Sequence, residues 1–352
     1  MGVLTVDVLD RDFGRVVLPD VRMEVDWLRW EAVGGPASGV LSVAGAGLED
    51  CLDWLRRPVV VRSVGGEAVW WGFVWGVVVP LGGYVVGRSL EGMANRVRVR
   101  YKDSTPAEAV TGWADDAESQ AVFGVVEFEE AMSQEEATSA EAEQRRDRIL
   151  ADRAWPTPTV EQAVASRETG EVTLRGWWTT LGWQFWAQAS TGGVENTTQI
   201  DSIATAEGEF IVDVDVVDSS GVSGEQERDG SQTALENILE LLATGTTNDR
   251  RLLATVTRER ILRVYESPAR SAAAGYNLHS GNRMSQGRVQ APLLPGVGPV
   301  GVWAALVDLP VSLTRSKLVA QLSPVFVEAN EWRAGRLWPE PRDVRGAWDV
   351  LG

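Results

Sequence analysis

The fold is decided by residues 58–100, which read PVVVRSVGGEAVWWGFVWGVVVPLGGYVVGRSLEGMANRVRVR. Valines and tryptophans, which favour strands, are interrupted there by Gly-Gly pairs at residues 65–66 and 82–83, and such pairs are typical of two-residue hairpin turns. At residues 96–100 arginine alternates with valine, the pattern of a strand with one buried and one charged face. The stretch predicts a meander of short antiparallel strands, and therefore a small β-barrel or sandwich.

The patterns on either side divide the chain into four segments. An N-terminal β-barrel domain covers residues 1–102, and a helical connector covers residues 103–165. A second β domain follows at residues 166–267, with a packed helix at residues 231–244, and a C-terminal β region covers residues 268–352. The predicted fold class is mainly β with a few helices: two barrel or sandwich domains joined by a helical segment, plus the small C-terminal β region.

Two helices carry clear signals in the sequence. The helix predicted at residues 231–244 has an apolar stripe at helical spacing and a glycine, Gly245, at its C-terminal end. The connector helix is predicted to begin at a capping box formed by Ser133 and Glu136, in which the hydroxyl and the carboxylate satisfy free N–H groups. It is predicted to end near Ala154, because the Trp-Pro-Thr-Pro sequence that follows cannot continue a helix.

The composition excludes several classes of function. The 352 residues carry 50 acidic and 33 basic side chains, a net charge of −17, without the basic stripe of a nucleic-acid-binding protein. One cysteine, Cys51, and one histidine, His279, allow neither an internal disulfide nor a metal cluster built on these residue types. The longest apolar run, residues 68–81, is too short to cross a membrane, and the N-terminus lacks an export signal. We therefore expect folding in a cytoplasm, with no cofactor, metal or membrane anchor.

The candidates for catalysis are weak. His279 lies in a polar turn, and the chain has no GxSxG elbow. Cys51 falls on the apolar stripe of a short predicted helix, as an inert buried thiol does. Asp213 and Asp215 alternate along a predicted strand, which an exposed face explains more simply than a catalytic or metal-binding pair. The sequence predicts a protein that is not an enzyme and has no catalytic, cofactor-binding or metal-binding residue; a hydrolase using Asp213 and Asp215 is the weakest alternative.

Tryptophan is unusually frequent, with 16 residues, and it clusters in two places. Trp70 and Trp71 are adjacent in a predicted strand, so their side chains point to opposite faces, and Trp75 follows them. Trp177 and Trp178 repeat the arrangement in the second half of the chain. One face fills a core, and the other meets a sugar, a partner protein or another part of the same chain. Because tryptophan is enriched at interface hot spots, these five residues are candidates for a subunit interface.

Several segments resemble the baseplate-hub or tail-tip proteins of tailed bacteriophages. Residues 58–61 and 65–74 resemble the strand, hairpin and W-x-G-x-V strand of that family. Residues 89–101, SLEGMANRVRVRY, resemble its SLE…NRV-x-V-x-Y segment. Further resemblance lies in the helical connector and in the C-terminal part, at residues 116–124, 133–156, 301–303 and 326–332.

The resemblance implies a structural virion protein that is made in the cytoplasm of a host bacterium and built from tail-tube-like barrels. Members of the family form a homotrimer at the tail tip, with pseudo-sixfold symmetry to the tube above. They surround the end of the tape measure and a channel through which DNA passes without sequence-specific binding. The implied partners are a distal tail ring or tube protein, the tape measure, and tip or fibre proteins. The chain differs from larger members in showing no appended lysozyme, peptidase or receptor-binding domain, and its negative charge suits a channel that repels phosphate.

A second class of function stays open beside this one. In it the chain is a monomeric carbohydrate- or receptor-binding module of a virion, and exposed tryptophans stack on sugar rings. This alternative predicts a change of tryptophan fluorescence on adding glycans, and no closed ring of subunits.

Overall fold

The structure is a computed structural model that describes residues 4–266, apart from residues 17, 19, 32, 64, 104–107, 134–136, 163–167, 190, 191 and 226. It also describes the backbone of four short strands in the C-terminal region. The strands predicted at residues 300–309 and 325–331 lie outside the described residues, as does His279.

The elements of the first half are, in chain order, β1 (Thr5–Val8), β2 (Val21–Glu31), β3 (Gly35–Gly45), a 3-10 helix (Glu49–Trp54), β4 (Pro58–Arg62), β5 (Ala68–Leu81), β6 (Tyr84–Ser89), β7 (Arg96–Lys102), β8 (Glu108–Val110), β9 (Ala114–Asp115), α1 (Ala117–Phe123), β10 (Glu127–Ala131) and α2 (Ser139–Arg153). Those of the second half are β11 (Thr159–Gln162), β12 (Gly170–Arg175), a second 3-10 helix (Trp177–Gly182), β13 (Phe185–Gln188), β14 (Gly193–Glu195), α3 (Asn196–Glu207), β15 (Asp213–Val216), β16 (Ser223–Glu225), β17 (Arg228–Thr233), α4 (Ala234–Ala243), β18 (Leu252–Val256) and β19 (Ile261–Glu266). The C-terminal strands are β20 (Arg283–Ser285), β21 (Arg288–Pro292), β22 (Val311–Thr314) and β23 (Lys317–Gln321).

Twelve of these strands form one large sheet that curves into a half-barrel. Its order is β1-β4-β5-β12-β3-β2-β22-β23-β21-β20, and β6 and β11 extend it beside the second half of β5. The β5–β6 hairpin turns at Gly82 and Gly83, whose φ angles of +57° and +91° favour glycine, so the two-residue turn predicted there is confirmed. The predicted class, mainly β with a few helices, is confirmed as well.

The large sheet combines strands that are far apart in the sequence. β12 belongs to the predicted second domain but lies between β3 and β5, where Thr173 is paired with both Val40 and Gly76. β22, from the predicted C-terminal region, pairs with β2. The boundary predicted between residues 165 and 166 therefore does not separate two sheets.

Outside the large sheet, the described chain forms smaller sheets that its helices cover. β10, β7, β8 and β9 form one of these, and α2 packs on β7 through a small apolar cluster that includes Val97, Val99 and Ile149. In the second half, β15-β19-β18, β13-β17 and β14-β16 form three more, with α3 and α4 packed together beside them. One buried apolar cluster runs from Val8 to Val264 and joins this half to the large sheet.

The helix predictions are confirmed in position but not at every end. α4 lies within the predicted residues 231–244, and Gly245 follows it with a φ of +70°. α2 begins six residues after Ser133, because Thr138 and Glu141 form the capping box instead. α3 was not predicted, since its sequence NTTQIDSIATAE lacks a strong apolar stripe.

Candidate functional site

Three of the five tryptophans predicted at a subunit interface are buried within the chain. Trp70 has no exposed surface, and Trp71 and Trp177 are also buried. The indole N–H of Trp70 donates to the carbonyl of Arg29 at 3.3 Å, and that of Trp71 donates to the carbonyl of Val256 at 2.9 Å. These side chains therefore offer no surface to a neighbouring subunit, and packing within the chain accounts for them.

The face of β5 that carries Phe73 packs against aromatic residues from the second half of the chain. The ring of Phe73 lies 5.0 Å from that of Trp177 and 5.7 Å from that of Trp183, measured between ring centroids. Phe210 lies 5.7 Å from Trp177 and 5.6 Å from Trp183. Phe73 of β5 thus packs against Trp177 of the second tryptophan cluster, and these aromatic contacts join the second half to the sheet.

Trp75 and Trp178 are half-buried, so the prediction of an interface remains open for these two. The ring of Trp178 packs over Gly34, which has a φ of +98°, and a Cβ atom at Gly34 would lie 2.7 Å from that ring. Trp75 lies between the aromatic cluster and the surface, with its ring 6.5 Å from that of Trp183. The guanidinium of Arg175 stands 5.7 Å from its ring centroid.

Trp75 lines an open groove of about 650 Å³ on the large sheet. β2, β3, β5, β6 and β12 form its floor, and the residues after α2 form one wall. Two other tryptophans line this groove and are exposed: Trp27 at 38% of its surface and Trp155 at 45%. We call this feature the tryptophan groove, and Trp27, Trp75 and Trp155 define it.

Local structure holds the two exposed tryptophans in place. Trp27 follows a β-bulge, because Val25 and Trp27 pair with adjacent residues of β3 and leave Asp26 without an opposite residue. Trp155 follows the C-terminal end of α2, where its indole N–H donates to Asp116 at 3.2 Å and its ring meets that of Phe123 edge-on. Both aromatic surfaces are therefore positioned before any partner arrives.

The tryptophan groove is much less acidic than the chain as a whole. Arg88, Arg153 and Arg175 line it together with two acidic residues, Glu91 and Asp152. Arg88 also pairs with Asp53 at 3.7 Å, so the groove is close to neutral on a chain with a net charge of −17. Since tryptophan and arginine are both enriched at interface hot spots, the groove has the composition of a protein-binding surface.

Cys51, Asp213 and Asp215, the residues considered for catalysis, do not line the tryptophan groove. Cys51 is fully buried, and burial raises the pKa of its thiol to about 11, so it is protonated and unreactive at neutral pH. Asp215 forms an ion pair with Arg263 at 2.9 Å across two parallel strands. Within the described ranges, no group of three or more histidine, cysteine, aspartate or glutamate side chains could hold a metal ion.

The groove could not be found from the sequence, because its tryptophans come from three distant segments. Trp27 and Trp155 lie outside the two clusters that the sequence singles out. One signal in the sequence was available. Trp155 directly follows the predicted end of a helix, so its large apolar side chain does not belong to the buried face of that helix.

Comparison with known proteins finds similar solved structures but no matching family or curated protein. The fold is similar to the crystal structure of the 43 kDa tail protein of prophage MuSo2 from Shewanella oneidensis, with 11% sequence identity and a TM-score of 0.38, over 89% of this chain and 69% of that one. A search of the described helices finds none that is long and apolar enough to span a membrane.

Proposed function

We propose that this protein is a structural component of a bacteriophage tail, and that it forms a homotrimeric hub at the tail tip. In this role it continues the tail tube around the channel for DNA and the tape measure, and it acts by assembly rather than by catalysis. The motifs at residues 58–74 and 89–101 support the assignment, as does the mainly β architecture that those residues build.

The tryptophan groove is the observation that carries the assembly part of this proposal. It exposes two large aromatic side chains, and burial of each would remove apolar surface from water. Its arginines Arg153 and Arg175 are placed to pair with acidic side chains on the surface of an identical chain. The occupant that we propose is therefore a neighbouring copy of this protein.

β11, beside the groove, has one edge that no described strand covers, and this edge supports the same contact. β11 pairs with β6 on one side, and all four of its residues are exposed, including Val160 at 62%. Thr157 and Thr159 at this edge also line the groove. Exposed edges of this kind invite pairing with another chain, and a closed ring of subunits would cover them.

The other partners follow from position in the tail. A hub contacts a distal tail ring or tube protein above, the tape measure inside, and tip or fibre proteins below. DNA passes through without sequence-specific contacts, which suits a chain whose net charge of −17 repels phosphate. The mature location is the virion, after synthesis in the bacterial cytoplasm.

Mass measurements on matched variants test the groove contact. We would compare the parent chain with Trp27→Ala and Trp155→Ala by light scattering, with Tyr84→Ala as control because Tyr84 is exposed at the β5–β6 hairpin, outside the groove. Loss of a hot-spot tryptophan typically weakens association by about 2 kcal/mol or more, roughly 30-fold. The parent and the control should have the mass of three chains, and the groove variants that of one.

Thermal melts of the same samples separate assembly from folding. The groove variants should melt cooperatively as monomers, because both tryptophans are partly exposed in the single chain. If Trp27→Ala and Trp155→Ala assemble as the parent does, the tryptophan groove is not the subunit contact.

A further inference from the structure

Two tight turns, at residues 10–14 and 257–261, have the same backbone hydrogen bonds. In each turn the N–H of the first residue donates to the carbonyl of the fifth at 2.9 Å. The N–H of the fourth residue donates to the carbonyl of the first, at 3.1 Å in one turn and 3.0 Å in the other. Such turns hold the fourth residue in the left-handed conformation, which glycine adopts most easily. Here the fourth residues are Phe13 and Arg260, with φ angles of +66° and +64°.

The side chains at these two positions meet each other. The guanidinium of Arg260 lies 3.9 Å from the ring centroid of Phe13, which lies 5.7 Å from that of Trp177. A third residue with a left-handed backbone, Arg56 (φ +66°), places its guanidinium 4.8 Å from the ring centroid of Phe210, which stacks on Trp177. Three of the four left-handed residues other than glycine in the described chain thus converge on one place. Backbone strain of this kind clusters at ligand-binding sites, so we call this place the Arg56–Arg260 site.

The two guanidinium groups of the site carry unused hydrogen-bond donors. That of Arg260 has no hydrogen bond or ion pair with any described residue. Since none of its nitrogen atoms is both buried and unpaired, these donors are open to solvent. The guanidinium of Arg56 donates one bond, to the carbonyl of Arg11 at 3.0 Å. Burial lowers the pKa of both half-buried arginines, and the charge of Arg260 lowers the pKa of Arg56 further, because the two like charges are close.

The acidic side chains around the site do not pair with these arginines. Glu209 and Asp12 raise the pKa of Arg56 through space, but neither forms an ion pair with it in the part of the chain that the structure describes. In the second turn, Glu259 pairs with Arg258 at 2.7 Å instead. The positive charge of the site is therefore only partly compensated among the described residues.

We propose that the Arg56–Arg260 site binds an oxyanion, the group that phosphate and carboxylates share. A guanidinium that stacks on an aromatic ring keeps its in-plane N–H groups for other partners, and these N–H groups match a pair of oxygen atoms. An anion at the site would be attracted to both arginines and would offset their mutual repulsion. The left-handed backbone at Phe13 and Arg260 then has a function, because glycine at these positions would bring no side chain to the site.

This inference does not depend on the proposed function. Phe13, Arg56, Phe210 and Arg260 do not line the tryptophan groove, so variants of the site leave the lining of that groove unchanged. The oxyanion has two possible sources, a phosphate group or the carboxylate of an acidic side chain. Separate probes for the two distinguish them.

Calorimetric titration of the full chain tests the proposal. The probes are inorganic phosphate and succinate at neutral pH, with sodium chloride of equal ionic strength as the reference, so that general screening is the same. We expect saturable binding of at least one probe, with a dissociation constant of about 1 mM or tighter. Binding of phosphate alone indicates a phosphate ligand, and binding of succinate alone indicates a carboxylate. Arg56→Gln and Arg260→Gln should each weaken the binding about tenfold.

Two further variants separate anion binding from packing. Arg258→Gln removes an exposed arginine from the same turn as Arg260, and it should bind the anion as the parent does. Arg260→Gly supplies the residue that the turn favours, so it should lose anion binding while its urea midpoint stays close to that of the parent. Circular dichroism shows whether each variant is folded, and Arg260→Gly serves if Arg56→Gln does not fold.

Two results would overturn the proposal. The first is the absence of saturable binding of both phosphate and succinate by the parent. The second is binding that Arg260→Gln and Arg260→Gly leave unchanged, because the anion then lies elsewhere. A lowered urea midpoint of Arg260→Gly in that second case would show that Arg260 serves only to pack on Phe13.

Discussion

Glu195, at the end of β14, shows how one carboxylate fixes a loop of the second half. Its Oε1 atom accepts hydrogen bonds from the hydroxyl groups of Thr197, Ser219 and Ser220 and from the backbone N–H of Gly221. These bonds favour the ionised form, with those from Ser219 and Gly221 contributing most, and they lower the pKa of Glu195 from its ordinary value of 4.5 to about 2. The loop between β15 and β16 is thereby held to the start of α3.

This pKa makes the stability of the protein depend on pH in a defined direction. Because the pKa is lower in the folded chain, Glu195 stabilises the fold above pH 4.5, and this contribution is lost as the pH falls from 4.5 to about 2. We expect Glu195→Gln to lower the urea midpoint at pH 7, and the difference from the parent to shrink below pH 4.5. The exposed Glu171→Gln is the control. A difference that stays constant from pH 7 to pH 2.5 would contradict the assignment.

Burial also determines how much each tryptophan contributes to the stability of the fold. Trp70 is fully enclosed, so Trp70→Ala should leave a cavity and destabilise the chain by about 3–5 kcal/mol, measured by chemical denaturation. Trp155→Ala should change the stability of the monomer by about 1 kcal/mol or less, because nearly half of its surface is already in water. Equal losses for the two variants would refute this contrast.

Sequence-based prediction was least complete for the contacts of individual side chains. Alternation along β5 correctly implies that adjacent tryptophans face opposite ways, but it does not identify what covers each face. Phe73 meets Trp177 across more than a hundred residues of chain, a contact that no local pattern encodes.

At the scale of helices and strands, local sequence patterns predicted the structure better than they did for individual contacts. The β5–β6 turn follows from its glycine pair, and α4 follows from its apolar stripe, because both signals lie within a few neighbouring residues. The start of α2 was misplaced because two sets of residues resemble a capping box. Thr138 and Glu141 form the one that the structure describes, and Glu136 lies outside the described residues. α3 was not predicted because its sequence contains three threonines and two isoleucines, which favour strands.

The cap of α4 gives a prediction for an element as a whole. The hydroxyl of Thr233 accepts from the backbone N–H of Glu236 at 3.3 Å, and the carboxylate of Glu236 accepts from the N–H of Thr233 at 2.8 Å. Thr233→Ala should lower the free energy of unfolding by about 1 kcal/mol, since it leaves an N–H of the first turn without this partner. Thr233→Ser should retain most of the stability in the same denaturant titration, and an equal loss in both variants would show that the cap is unimportant.

At the scale of the whole molecule, the large sheet combines strands from all four predicted segments. β12 brings the second half into the centre of the sheet, and the aromatic cluster around Phe73 and Trp177 fills the space between them. Among the described residues, no strand pairs with the outer edge of β11, whose Thr159 also lines the tryptophan groove. An open sheet with an aromatic groove beside a free edge is the feature from which we infer assembly.

The central claim, that the chain assembles into a ring at a tail tip, is tested most directly by electron microscopy of particles whose mass has been measured in solution. We predict a mass of three copies of the 38.3 kDa chain, and class averages that show a ring with threefold symmetry and a central opening. A compact particle with the mass of one chain at every concentration, and without an opening, would contradict the claim.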